Sequence, residues 1–81
     1  MAKVNKKTLH FNLIFRPEAE GGFTVLVPSL PGCISYGETL EEAKEMIHDA
    51  IAGYLVSADK HGEKITSDEE VFTATLDFSY A

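Results

Sequence analysis

The sequence predicts an α+β fold in the order β-β-β-α-β: a four-stranded mixed sheet of spatial order 3-2-1-4, with one long helix on one face. Three observations carry this. Residues 8–16, 23–27 and 71–80 alternate apolar and polar side chains with the period of two that marks a half-buried strand. Leu40, Ala43, Ile47, Ala50, Ile51, Tyr54, Leu55 and Ala58 instead fall on one stripe at about 100° per residue, as in an amphipathic helix. Between the two patterns, Pro28, Pro31, Gly32 and Gly37 break the chain into bends.

In residues 8–16, Leu9, Phe11, Leu13 and Phe15 face one way, and Thr8, His10, Asn12, Ile14 and Arg16 the other. Residues 17–22 are rich in turn formers and end on Gly22, so the strand starting at Phe23 pairs with the first as an antiparallel hairpin. There Phe23, Val25 and Val27 alternate with Thr24 and Leu26. Pro28 and Pro31 have no N–H to donate to a ladder, and Gly32 supplies backbone freedom beside them. Together with Leu30 they shape a rigid bend. Residues 33–36 suffice for one short returning strand, which Gly37 ends.

Thr39 and Glu42 form a capping box ahead of Ala43 and the apolar stripe. Glu41 and Glu42 lie in the first turn, where the helix dipole favours anions. Lys60 and His61 lie in the last turn, and Gly62 suits the left-handed residue after it. A helix of this length runs about 33 Å, enough to cross a small sheet. Gly53 costs about 1 kcal/mol against alanine in mid-helix, so close packing is expected there. Residues 63–70 read as polar connection. Residues 71–80 then read as a fourth strand with Phe72, Ala74, Leu76, Phe78 and Tyr80 on one face. It is expected parallel to the first and third strands, beside the first by the right-handed crossover rule.

The 81 residues suit one domain, residues 8–81, behind a flexible basic leader, residues 1–7. At this size a single core is only just sufficient, so self-association is expected through a sheet edge or the sheet face that the helix leaves open. A hydrophobic content of 44% and eight aromatics argue for a globule rather than a disordered chain. No apolar run approaches the ~20 residues that span a bilayer, and no membrane association is expected. One cysteine cannot close an internal disulfide, which fits a cytoplasmic protein.

Charge is uneven. Without Lys3, Lys6 and Lys7, four basic residues face thirteen acids, a balance of −9 over residues 8–81. Such a surface repels phosphate backbones and suits a basic partner. The lysine leader reads as a solvated tail rather than a nucleic-acid arm.

Chemistry-bearing constellations are absent from the pattern. His10, His48 and His61 lack ligand spacing and a cysteine pair, so neither a metal nor a cofactor is expected. Cys33 reads as a small buried apolar residue, and no glycine-rich loop precedes the helix. Glu41, Glu45, Asp49 and Asp59, with Glu42 nearby, lie away from the apolar stripe. They form either a solvated exterior or a patch for a basic protein.

Glu20-Gly21-Gly22-Phe23, Val27-Pro28-Ser29-Leu30-Pro31-Gly32-Cys33 and Gly37-Glu38-Thr39-Leu40-Glu41-Glu42-Ala43 together resemble the HicB-like antitoxin family. The resemblance implies part of a ribonuclease H-like fold, over almost the whole chain. It also implies a non-enzymatic antitoxin of a type II toxin-antitoxin system, which binds and occludes a small basic HicA-like toxin that cuts messenger RNA. Glu38, Glu41, Glu45 and Asp49 are then the candidate contacts. Gly22, Pro28, Leu30, Pro31, Gly32, Gly37, Thr39, Glu42 and Ala43 are the structural motif. Nuclease chemistry would need carboxylates converging on cations, yet residues 8–15 contain no Asp or Glu to join Asp77 and the helix acids. Many members continue into a DNA-binding domain; this sequence ends at Ala81, so direct DNA binding is not expected. A homo-oligomer, dimer or tetramer, is. The alternative is a small regulatory or ligand-binding domain without a toxin partner, its pocket between the helix and the proline bend near Cys33.

Overall fold

The computed structural model describes residues 8–81, so the expected basic leader at residues 1–7 lies outside the described residues. Three strands, β1 (Ile14–Pro17), β2 (Phe23–Leu26) and β3 (Ile34–Gly37), precede one helix, α1 (Leu40–Lys60). The strands form an antiparallel sheet in the order β1-β2-β3, with Ile14 opposite Leu26 and Leu26 opposite Ile34.

Local chemistry accounts for each junction. The β1–β2 turn closes through Glu18 N–H to Gly22 O and Gly21 N–H to Glu18 O, both at 3.0 Å, and Gly21 and Gly22 take the positive φ values it requires. The bend after β2 is a hydrogen-bonded loop: Leu30 N–H reaches Val27 O, Cys33 N–H reaches Leu30 O, and Val27 N–H reaches Cys33 O. Its inner wall is the buried Leu30 side chain, and Gly32 turns the chain at φ 85°.

The core lies between α1 and the inner sheet face. Val25, Val27, Leu30, Cys33, Ala43 and Ile47 are buried, with Phe11, Leu13, Phe15, Phe23, Ile51 and Tyr54 packed around them. Each large side chain fully removed from water contributes about 1.5–3 kcal/mol. Alternation selects these residues on the strands, and the inward stripe selects them on α1. The other sheet face carries Ile14, Leu26, Ile34 and Tyr36, of which only Leu26 is half-buried and the rest are exposed.

Four expectations need correction. The fourth strand is not formed: residues 71–81 lie outside any ladder, so the sheet has three strands and not the order 3-2-1-4. The first strand starts at Ile14 rather than residue 8, because Pro28 stops β2 from continuing opposite residues 8–13. Those residues are bonded instead by the connection after α1, with Asp68 N–H donating to His10 O and His10 N–H to Ser67 Oγ. The third strand starts one residue late, since the Cys33 N–H is used in closing the bend. Gly53, expected to pack closely, is exposed with open space where a Cβ would stand.

Candidate partner-binding surface

The exposed side of α1 is presented by a well-anchored N-terminus. Thr39 Oγ1 accepts from Glu42 N–H at 3.0 Å, and the Glu42 carboxylate accepts from Glu38 N–H at 2.8 Å. This is a capping box whose second arm reaches one residue further back than usual. Glu42 is therefore engaged in fixing the helix entry. Gly37 lies so close beneath the backbone of Glu42 and Ala43 that no side chain fits, which seats α1 directly on β3. At the other end, Gly62 N–H bonds Asp59 O and Glu63 N–H bonds Ala58 O, a Schellman closure around Gly62 at φ 68°.

With Ala43 and Ile47 directed into the core, the opposite side of the helix carries Glu41, Glu45 and Asp49 on successive turns, and Glu38 just before it. All four are exposed. The three helical acids span about 12 Å along the axis. Among the described residues, Glu38, Glu41 and Glu45 have no cation within ion-pair distance. Asp49 meets only its neighbour His48, at 3.7 Å with both side chains 85% exposed. Like charges four residues apart cost a helix about 0.2–0.5 kcal/mol per pair, a cost that a cationic partner removes. The arrangement is an exposed run of negative charge along one side of the helix.

Other candidates resolve differently. Cys33 is buried, and desolvation pushes its thiol above the ordinary range, which leaves it protonated and a poor nucleophile. A cavity of about 450 Å³ does lie between the end of α1 and the proline bend, lined by Ser29, Leu30, Pro31, Tyr54, Ile65 and Asp68 among others. Cys33 is not in its wall. Its buried carboxylate, Asp68, is already committed: Ser29 Oγ donates to Oδ1 at 2.5 Å and Asn12 N–H to Oδ2 at 3.0 Å. Those two bonds, Ser29 first, hold the Asp68 pKa below the usual carboxylate value. No group of three His, Cys, Asp or Glu among the described residues is placed to hold a metal ion. Likewise, no described helix is long and apolar enough to cross a membrane.

Asp68 is the residue that sequence reasoning missed. It sits in the connection read only as polar, beside Glu69 and Glu70, and its partners are 39 and 56 positions away. No local pattern marks it.

Comparison with known proteins places the chain in a family. The profile of a family described as "HicB_like antitoxin of bacterial toxin-antitoxin system" matches residues 11–81. A UPF0150 protein of Thermoplasma acidophilum is 40% identical over 60 residues, covering 74% of this chain and 87% of its own length. One from Synechocystis is 38% identical over 61 residues, 75% of this chain and 84% of the relative. Another, from Helicobacter pylori, is 32% identical over 62 residues, 76% and 86% respectively.

Proposed function

Since the chain belongs to the HicB-like antitoxin family, we propose that it neutralises a small, basic, HicA-like toxin that cuts messenger RNA. It does so by occupying the toxin's RNA-binding face. The observation that carries this reading is the acidic stripe: Glu38, Glu41, Glu45 and Asp49 stand exposed on a helix whose entry is fixed by its own cap. A surface that binds RNA presents cations to phosphates, and an array of carboxylates competes for those same cations. The protein thus works by contact and carries out no reaction of its own. The cytoplasm, where the toxin's substrate is translated, is the place for it, and a lone reduced Cys33 suits that compartment.

The test uses a small, basic HicA-like toxin purified separately. Purified chain is expected to bind it and stop its cleavage of messenger RNA at equimolar ratio. Affinity should fall as salt is raised, since exposed charges are screened within about 8–10 Å at such concentrations. The quadruple variant Glu38→Lys, Glu41→Lys, Glu45→Lys, Asp49→Lys should keep its circular dichroism spectrum and lose inhibition, mainly through slower association. Full inhibition by that variant would reject the stripe as the contact. Failure of the unaltered chain to bind would reject the function.

A further inference from the structure

Residues 71–81 leave the body of the molecule as an extended arm. Phe72, Leu76, Phe78 and Tyr80, all on one side of the alternating pattern, are 78–88% exposed. Eleven extended residues would span about 36 Å, a large share of the 63 Å long dimension of the molecule. Four large apolar side chains on one side of a segment outside any ladder mark an interaction segment.

The body carries a site of matching character. An open apolar groove of about 460 Å³ runs between residues 9–13 and α1, walled by Leu9, Phe11, Leu13, Ile47, Ile51 and Leu55. It is bordered by a free backbone edge. His10 and Asn12 direct their backbone groups toward residues 67–68. Backbone groups alternate sides along an extended chain, so those of Leu9, Phe11 and Leu13 face the other way. Among the described residues none of these three makes a backbone hydrogen bond.

The root of the arm lies on the wrong side to reach that edge. Asn12 Nδ2 donates to Val71 O at 2.7 Å, which tethers the arm on the side where Asp68 binds. To fill its own groove, the chain would have to cross its own N-terminal strand segment. A second copy faces no such obstacle, and a two-fold exchange satisfies both arms at once. Each buried aromatic removes about 150–250 Å², so the four phenylalanines of the two arms alone bury roughly 600–1,000 Å², to which the leucines and the added strands contribute toward the area of a specific interface.

We infer that two copies of this chain exchange residues 71–80, each arm adding beside residues 8–16 of the partner with Phe72, Leu76 and Phe78 in the partner's groove. The exchange uses none of the acidic residues of the stripe, although Lys44 and His48 at the rim of the groove adjoin Glu45 and Asp49.

Light scattering on the purified chain is expected to give the mass of a dimer. In a sample mixed from carbon-13-labelled and unlabelled chains, filtered nuclear Overhauser spectra should show contacts between Phe72, Leu76 or Phe78 of one chain and Phe11, Leu13 or Ile51 of the other. The variant Phe72→Ser, Leu76→Ser, Phe78→Ser alters only exposed side chains, so its helix signal should persist while the dimer dissociation constant rises about a hundredfold or more. A monomer with the arm free, a monomer with the arm on its own body, or a dimer lacking those contacts would each overturn the inference. The spectra on the unaltered chain decide the matter even if the triple variant unfolds.

Discussion

The hydroxyl of Ser29 donates to Oδ1 of Asp68 at 2.5 Å and so ties the proline bend to the connection that follows α1. The second carboxylate oxygen takes the Asn12 N–H, so one side chain joins three segments remote in sequence.

That bond makes stability depend on acid. The folded pKa of Asp68 is lowered by the Ser29 bond and then by the Asn12 bond. A lowered folded pKa gives stability that is fully present above the unfolded value of about 3.9 and lost as pH falls through the folded value. Asp68→Asn should therefore be less stable than the unaltered chain at pH 7 in urea denaturation, with the difference shrinking below about pH 4. Glu18, lowered by the Thr24 hydroxyl and then by Arg16, titrates in the same direction, so some acid sensitivity persists in the variant. A difference that stays constant across that range would contradict the assignment.

Gly37 tests how α1 is seated. A methyl group there would overlap the backbone of Glu42 and Ala43, which cannot move aside as a flexible side chain can. Gly37→Ala should cost about 1–3 kcal/mol, the usual range for overpacking, read from the urea midpoint at constant slope. An unchanged midpoint would mean that the helix sits higher on β3 than the structure has it.

Gly53 is the opposite case. It lies in mid-helix, exposed, with no atom near where a Cβ would stand. Gly53→Ala should raise stability by about 0.5–1 kcal/mol, and the melting temperature by several degrees, through lower unfolded-state entropy. A loss of stability instead would reveal close packing against another molecule at that face.

The elements that local chemistry controls were legible before any coordinates. Phe11, Leu13, Phe15, Val25 and Val27 announce the inner sheet face by period two, and Ala43, Ile47, Ile51 and Tyr54 announce the inner helix face by period 3.6. Thr39, Glu42 and Gly62 mark the helix ends because capping is settled within a few residues. The acidic side of α1 follows from the same periodicity, once the apolar stripe is turned inward.

Residues 71–81 show the boundary of such reasoning. Alternation states that one face of a segment prefers burial, but not which edge receives it or in which molecule that edge lies. Pairing depends on the path the chain takes after α1, and the tethers at His10, Asn12 and Ser29 bring that path to the near side of residues 10–12. Periodicity and caps are properties of neighbours a few bonds apart, so the order of residues suffices to decide them. The placement of Asp68, the open space at Gly53 and the direction of the arm arise from contacts between segments tens of residues apart, which only the folded chain brings into reach.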